Sequence, residues 1–236
     1  MRTVINRSLG GRIQEEHAKI YLAEILIAVE ELHRNGIVHR DIKPENVLID
    51  AKGHACLSDF GLAKQGLFEE RHTETFVGGG QTYQIPEVLI GKSYNKTVDI
   101  YLYGVLAYEM LCGKPAFPFK YDVEEHENRI KNCKFTFPDE VIEEEEKSEE
   151  GIQFNLPNQS VAVHLSEVAK KLIRSLIVPN AKKRLSIDKI KSHKFFAGIK
   201  WNDVEQGRCK VPRVLLKEPK AENFDEISYD SDDEDF

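Results

Sequence analysis

Apolar side chains between residues 14 and 35 recur alternately four and three positions apart. The members of this stripe are Ala18, Leu22, Ile25, Val29 and Leu32. Residues with this spacing share one face of a helix, so the pattern predicts an amphipathic α-helix over residues 14–35. Gly36 follows directly, and glycine is common just after a helix end. The preceding residues 1–11 form a short polar segment, in which we expect a turn at the two final glycines.

Two short apolar runs follow at residues 47–49 and 55–57, with Asp-Ala-Lys-Gly between them. A run, a turn sequence and a second run predict a β-hairpin. Beyond it, an apolar stretch over residues 99–112 that stops at Gly113 predicts a long helix. A further helix is predicted to start at Ser166, because a serine hydroxyl suits the N-cap position. The pattern as a whole predicts a mostly helical protein with one small hairpin.

The composition is that of a soluble globular protein, with 41% apolar and 31% charged residues among 236. This length holds one large domain or two small ones. No uncharged run is long enough to span a bilayer and no signal-peptide core is present, so we predict no membrane span. The cysteines are scattered without C-x-x-C pairs, at Cys56, Cys112, Cys133 and Cys209. They read as reduced thiols of a cytoplasmic, or alternatively nuclear, protein rather than as a disulfide or zinc framework.

The net charge of −7 is unevenly distributed along the chain. Residues 139–150 contain eight acids and one lysine, and residues 221–236 contain eight acids and no base. The remainder has 32 basic and 24 acidic residues and is therefore mildly basic. It lacks the interleaved aromatic and basic residues of nucleic-acid-binding motifs, so we expect no nucleic-acid partner.

Candidate chemistry is concentrated around the predicted hairpin. Residues 39–46 read H-R-D-I-K-P-E-N, and a D-F-G sequence begins at Asp59. The hairpin would present Asn46 and Asp59 side by side, and an amide oxygen next to a carboxylate suits Mg²⁺, which takes oxygen ligands. Asp41 then lies within reach as a base, and Lys43 can offset negative charge on a transferred phosphoryl group.

This string resembles the catalytic loop of a protein kinase, H-R-D-x-K-P-x-N, followed by D-F-G at the spacing of that family. The resemblance implies that Asp41 accepts the proton of the substrate hydroxyl and that Lys43 contacts the γ-phosphate. It also implies that Asn46 and Asp59 hold Mg²⁺, so ATP and Mg²⁺ are the expected cofactors. The K-P-E sequence resembles kinases that act on serine and threonine rather than on tyrosine.

The sequence T-F-V-G at residues 75–78 resembles the activation segment of the AGC group of protein kinases. By that resemblance Thr75 is a regulatory site for an upstream activating kinase, and its phosphate can bind Arg40. The I-P-E sequence that ends at Glu87 stands in the place of the family's A-P-E. Arg184 matches the family's arginine that pairs with this glutamate, so we expect the two residues to meet in the fold.

Residues 99–110 resemble the family segment D-x-W-S-x-G-V-x-x-Y-E-M, in which the aspartate, here Asp99, anchors the backbone of the catalytic loop. Two local departures from the family pattern are visible. Tyr101 replaces the usual tryptophan, and we expect the packing to tolerate this change. Gly80 stands where serine/threonine kinases have a threonine that contacts Asp41, and this change can lower the rate.

The resemblance divides the chain into a kinase domain over residues 1–196, of which only the C-terminal lobe is represented, and an AGC-like tail over residues 197–236. A Glu-rich insert at residues 139–162 and the acidic end of the tail are expected to be exposed or disordered. The family's glycine-rich loop and strand lysine have no counterpart here, so we expect weak ATP binding. The implied fold is mostly α, a helical bundle with a small β-hairpin, from a parent α+β kinase fold.

Glu45, in K-P-E-N, and Glu109, in Y-E-M, stand where basophilic AGC kinases bind arginines of the substrate. Protein substrates with serine or threonine near basic residues are therefore expected. An ion pair within the fold is an equally open interpretation of Glu109, because a buried glutamate usually has an internal partner. Two functions remain open: a serine/threonine protein kinase, and a non-catalytic kinase-derived binding or scaffold module, whether a pseudokinase or a fragment lacking the N-terminal lobe.

Overall fold

The computed structural model describes residues 1–66, 81–119, 122–140 and 164–211. The helices in these ranges are α1 Arg2–Arg7, α2 Glu15–Arg34, α3 Pro86–Leu89, α4 Thr97–Cys112, α5 Val123–Lys131, α6 Glu167–Leu176, α7 Ile187–Lys191 and α8 Trp201–Glu205. The strands are β1 Ile37–Val38, β2 Val47–Ile49, β3 Ala55–Leu57 and β4 Lys64–Gln65. Short 3₁₀ turns occur at Leu9–Gly11, Pro44–Asn46, Gln81–Tyr83, Ala181–Lys183 and Lys194–Phe196. Four sequence predictions concern residues outside the described ones: those on Thr75, Gly80, most of the acidic insert and the acidic end of the tail.

Helix α2 carries the predicted stripe on its buried face. Ala18, Leu22, Ile25 and Val29 are fully buried, whereas Leu32, near the end of the helix, is only partly buried. Glutamates occupy the first turn and basic residues the last, so both ends of the helix match its dipole. Gly36, with a φ of 68°, turns the chain after the helix end. The helix predicted over residues 14–35 is thereby confirmed.

Helix α4 lies at the centre of the core, between α2 and α6. Every residue from Val98 to Cys112 is buried. A helix that is apolar on nearly all its faces can be covered by other elements on every side, and α4 has this composition. The Tyr103 hydroxyl, buried inside this contact, donates a 2.9 Å hydrogen bond to the carbonyl oxygen of Leu22 in α2. No described helix is both long and apolar enough to cross a membrane.

The end of α4 is packed backbone to backbone against the turn that precedes α2. Gly113 ends α4 with a φ of 74°, and a Cβ at this position would lie 2.4 Å from the carbonyl oxygen of Gly11. Only glycine fits such an approach. Close by, the backbone N–H of Ile13 donates to the carbonyl oxygen of Met110 at 2.8 Å. This backbone seam fixes the start of the chain relative to α4.

Strands β2 and β3 form the predicted antiparallel hairpin, with Val47 opposite Leu57. The Asp50 carboxylate closes the turn by accepting hydrogen bonds from the backbone N–H groups of Lys52 and His54, both at 2.8 Å. The prediction of a mostly helical fold with one hairpin near the candidate site is confirmed. Strands β1 and β4 also pair antiparallel, which the sequence analysis did not predict.

The sequence analysis was wrong about the first residues, which it described only as a short polar segment before a turn. Residues Arg2–Arg7 form helix α1. Val4 and Ile5 are 5% and 1% exposed and belong to the core. Six residues are too few for a helical period to be visible in the sequence, so tertiary packing decides the structure here. The turn predicted at Gly10 and Gly11 is present, and both glycines have positive φ.

We expect Gly104→Ala to destabilise the protein, although alanine inside a helix is ordinarily more favourable than glycine by about 1 kcal/mol. Gly104 lies where α4 crosses α6, and a Cβ at this position would be 2.7 Å from the Cβ of Leu176. Separating two packed helices costs about 1–3 kcal/mol. Chemical denaturation measures the change in free energy of unfolding. A variant as stable as the wild-type protein would contradict the contact.

Candidate active site

The turn that carries the candidate base is held by one buried carboxylate, that of Asp99 in α4. Its two oxygens accept the backbone N–H groups of His39 at 2.9 Å and Arg40 at 2.8 Å. The Nε2 atom of His33 lies 2.8 Å from the same carboxylate. Arg40 has a φ of 68°, a conformation that costs a non-glycine residue about 1–3 kcal/mol. Asp99 therefore holds a strained turn in place.

Asp41 follows this turn, and its two carboxylate oxygens differ in their surroundings. One oxygen accepts hydrogen bonds from the Lys43 ammonium and from the Asn46 amide, both at 2.7 Å. The other, Oδ1, is buried and has no hydrogen-bond partner among the described residues. Two donors thus fix the orientation of the side chain, and the unpaired oxygen is available to accept a proton.

Asn46 and Asp59 stand at the open end of the hairpin, where the sequence predicted a metal site. The Asn46 amide nitrogen donates to the carbonyl oxygen and to the carboxylate of Asp41, at 2.8 and 2.7 Å. Its amide oxygen receives no hydrogen bond from the described part of the chain and is free to bind a cation. The carbonyl oxygen of Asn46 accepts the backbone N–H of Ser58 at 2.8 Å, which ties it to the residue before Asp59.

Asp59 is solvent-exposed and has a φ of 61°, a second strained position in the site. One carboxylate oxygen accepts the backbone N–H of Gly61 at 3.2 Å, which leaves the other without a described donor. An exposed carboxylate and an unpaired amide oxygen are the ligand types that Mg²⁺ prefers, since this ion keeps several waters and takes few protein ligands. The side chains present therefore fit a magnesium ion.

Arg40 and His39 connect the two halves of the site. The Arg40 guanidinium donates to the carbonyl oxygen of Leu62 at 2.6 Å and to the Tyr94 hydroxyl at 3.0 Å. The His39 ring contacts the ring of Phe60, with centroids 5.1 Å apart. Because Phe60 and Leu62 follow Asp59 closely in the chain, the contacts to these two residues hold the turn before Asp41 against the D-F-G segment. The predicted phosphate-bearing partner of Arg40, Thr75, lies outside the described residues.

Glu87 and Arg184, which the sequence analysis expected to meet, form a buried ion pair. The two guanidinium nitrogens lie 2.6 and 2.9 Å from the two carboxylate oxygens. The same guanidinium stacks on the ring of Tyr101 at 5.0 Å and donates to the carbonyl oxygen of Thr97. Tyr101, noted above as a departure from the family pattern, thus packs against this ion pair inside the core.

Glu45 and Glu109 converge on a single cation, Arg2 of α1. The Arg2 guanidinium donates to Glu45 at 2.7 Å and also to Glu109. The second oxygen of Glu109 accepts the Tyr83 hydroxyl at 2.5 Å. We call Glu45, Glu109 and Tyr83 the acidic groove. The sequence analysis missed Arg2 and Tyr83, because no local pattern marks an arginine or a tyrosine whose partners lie far away along the chain.

The charges of the acidic groove shift one another's ionisation. Burial alone would lower the pKa of Arg2, but hydrogen bonds to Glu109 and Glu45 outweigh it and raise that pKa. Burial alone would raise the pKa of Glu45, but Arg2 holds it below its usual value. Burial and the neighbouring Glu109 carboxylate raise the pKa of Tyr83 well above its usual range. All three residues therefore keep their ordinary charge states at neutral pH.

A second polar cluster lies behind the hairpin and was not predicted. Glu24 of α2 accepts hydrogen bonds from the backbone N–H of Ala55 at 2.7 Å and from the Cys209 thiol at 3.1 Å, and it lies 2.6 Å from His54 Nδ1. Hydrogen bonding among these groups accounts for their proximity. The cluster fastens the hairpin, and the segment after α8, to α2.

Replacing Asp99 by alanine should release the turn at His39 and Arg40. Two buried backbone N–H groups would lose their acceptor, and each such loss costs about 1–3 kcal/mol. Native-state hydrogen exchange should show faster exchange of these two amides, while amides in the middle of α2 lose only the protection expected from the global change in stability. Unchanged protection at His39 and Arg40 would show that the carboxylate does not hold the turn.

Comparison with known proteins identifies the family of the chain. The protein kinase domain family matches residues 2–196. Similar proteins include the serine/threonine-protein kinases sck1 of Schizosaccharomyces pombe, 37% identical over 86% of this chain, and SCH9 of Saccharomyces cerevisiae, 37% identical over 91%. Ribosomal protein S6 kinase alpha-6 of Mus musculus is 37% identical over 84%. The chain spans only 26%, 24% and 23% of the lengths of these three proteins, respectively. The chain belongs to the protein kinase domain family, and its resemblance to the AGC group of serine/threonine kinases is confirmed.

Proposed function

We propose that this chain carries the catalytic loop and metal ligands of a serine/threonine protein kinase. It would transfer the γ-phosphoryl group of ATP to serine or threonine hydroxyls of protein substrates. The observation that carries the proposal is the pair of unlike oxygens on Asp41, one clamped by Lys43 and Asn46 and the other buried and unpaired. The similarity to proteins named serine/threonine kinases supports the same reaction class.

In this reaction the substrate hydroxyl oxygen bonds to the γ-phosphorus while the bond from that phosphorus to its bridging oxygen breaks, and ADP leaves. Asp41 Oδ1 receives the hydroxyl proton. Lys43 keeps the base oriented and places a positive charge beside the transferred group. Asn46 and Asp59 would hold Mg²⁺, which supplies charge neutralisation at the phosphates. Asp99 positions the base through the turn that it binds.

The alternative is a non-catalytic kinase-derived module that binds peptides in the acidic groove. It shares Glu45, Glu109 and Tyr83 with the kinase proposal but needs no base. The orientation of Asp41 favours the kinase. A module that only binds peptides does not need a carboxylate held by the Lys43 ammonium group with its other oxygen buried and unpaired. The two functions differ in whether phosphate is transferred, so one assay separates them.

Three finer expectations remain proposals: the phosphorylation of Thr75, the division of the chain into domain and tail, and the location of the protein in the cell. We infer that Thr75 is phosphorylated by an upstream kinase and that the resulting phosphate binds Arg40. We retain the division into a kinase domain over residues 1–196 and a tail over residues 197–236. A cytoplasmic, or alternatively nuclear, location is retained with them, since the scattered cysteines suit a reducing compartment.

We expect Asp41→Asn to lower the rate of phosphoryl transfer by about 10²–10⁴-fold, since a general base typically contributes that much. Transfer of labelled phosphate to a serine peptide at millimolar Mg·ATP measures the rate, in a protein that carries a kinase N-terminal lobe before this chain. The control is thermal stabilisation by Mg·ATP, which should be the same in variant and wild type, because asparagine keeps the shape of the loop. A well-folded variant that retains most of the activity would remove Asp41 from this role. A wild-type protein that carries an N-terminal kinase lobe and binds the peptide but transfers no phosphate would establish the binding module.

The substrates of this kinase are proposed to be basophilic, with arginine two or three residues before the serine or threonine. Glu45 is half exposed and holds one oxygen away from Arg2, so it can receive a further guanidinium. We expect peptides with arginine at these positions to bind better than their alanine counterparts. Because the pairing is partly exposed, added salt should reduce the preference.

Glu45→Ala should remove most of this preference, while Glu16→Ala, which removes an exposed glutamate of α2 outside the groove, should leave it intact. Fluorescence anisotropy with paired arginine and alanine peptides gives the ratio of dissociation constants for each variant. Acidic or proline-directed peptides that bind best, with no effect of Glu45→Ala, would refute basophilic recognition without bearing on the role of Asp41.

A further inference from the structure

We propose that Arg2 is an internal competitor of substrate arginine, which makes it a specificity-determining residue of the acidic groove. This inference rests on the proposed function, because it assumes that the groove of Glu45, Glu109 and Tyr83 receives a basic side chain of the peptide. Arg2 already occupies that position within the chain. A peptide arginine that seeks both glutamates must therefore displace it.

Helix α1 brings Arg2 to the groove and holds it there. Arg2 is the first residue of this helix, and Val4 and Ile5 on the same short helix are buried in the core. The ion pairs join α1 to residues 43 and 107 positions later in the sequence. Arg2 thus lies on a helix that the core holds in place. Folding already orders this helix, so Arg2 loses less conformational entropy on entering the groove than the arginine of a flexible peptide does.

The two glutamates are not equally available. Glu109 is 1% exposed, and its two oxygens are taken by Arg2 and by the Tyr83 hydroxyl. Glu45 is 48% exposed and pairs with Arg2 through one oxygen, which leaves the other open to solvent. While Arg2 is in place, an incoming guanidinium therefore reaches Glu45 alone. After Arg2 leaves, Glu45 and the Glu109 oxygen that Arg2 holds become available to one bidentate guest.

This arrangement predicts how Arg2 affects affinity. A guest that needs the groove empty binds only to the fraction of molecules in which Arg2 has moved out, and its apparent affinity is lowered by that fraction. A peptide with alanine in place of arginine has no use for the groove, so its affinity does not depend on Arg2. Removing Arg2 should therefore strengthen the binding of arginine peptides selectively.

The test compares wild type, Arg2→Ala and Arg7→Ala in anisotropy titrations with a serine peptide carrying arginine at the third position before serine and with its alanine counterpart. Arg7 is an exposed arginine on the same helix and serves as the matched control. We expect Arg2→Ala to bind the arginine peptide about tenfold or more tightly, with no change for the alanine peptide. Arg7→Ala should match wild type. Equal affinities of Arg2→Ala and wild type for the arginine peptide would overturn the proposal.

Arg2→Ala leaves Glu109 buried without its cation, so a second measurement guards against a variant that does not fold. Ethylguanidinium at millimolar concentration should refill the vacated position, raise the melting temperature of Arg2→Ala and compete with the arginine peptide. In wild-type protein, the Arg2 Nε–H resonance should shift on saturation with the arginine peptide and not with the alanine peptide. A resonance that stays unmoved under saturation shows that the peptide binds without displacing Arg2, and the proposal fails.

The outcomes also separate this inference from the basophilic proposal on which it rests. An arginine preference that is present in wild type and identical in Arg2→Ala refutes the competitor and leaves basophilic recognition standing. No arginine preference in either protein refutes basophilic recognition itself. A preference that appears or grows only when Arg2 is removed supports both.

Discussion

The candidate site depends on one buried carboxylate more than on any of the groups that do chemistry. Asp99 is fully buried in the most buried helix of the described structure, and its oxygens are used by two backbone N–H groups and one histidine. A buried charge of this kind is tolerated only where hydrogen bonds satisfy it. The strained turn supplies those bonds, and in return the carboxylate holds the turn. The core and the candidate site therefore share this carboxylate.

The long helices and the hairpin were predictable because each depends on a local pattern. The stripe in α2, the apolar run of α4 and the turn sequence between β2 and β3 all lie within a few residues of the atoms that they organise. Helix α1 was not predictable in this way. Six residues give too little periodicity, and Val4 and Ile5 adopt a helix because the core receives them.

In the candidate site, too, the local motif was predictable and the contacts between distant residues were not. The motif around Asp41 and Asn46 could be read directly, because catalytic loop residues stand close together in sequence. What the sequence did not show is how these residues share hydrogen bonds, such as the clamping of one Asp41 oxygen by two donors. It also did not show which distant residue would satisfy Glu109. The sequence analysis left an internal ion pair open for this glutamate, and the structure identifies Arg2 as its cation.

The backbone seam between Gly11 and Gly113 has a consequence for that cation. Backbone packs against backbone here, since a Cβ on Gly113 would lie 2.4 Å from the carbonyl oxygen of Gly11, so an exchange of side chains cannot move the two segments apart. Only residues 8–10 connect α1 to the seam, so the chain between Arg2 and this fixed point is short. The charge of the groove therefore depends on how the start of the chain is placed against α4, as well as on the residues that line the groove. Arg2 neutralises part of the groove only while α1 keeps this placement.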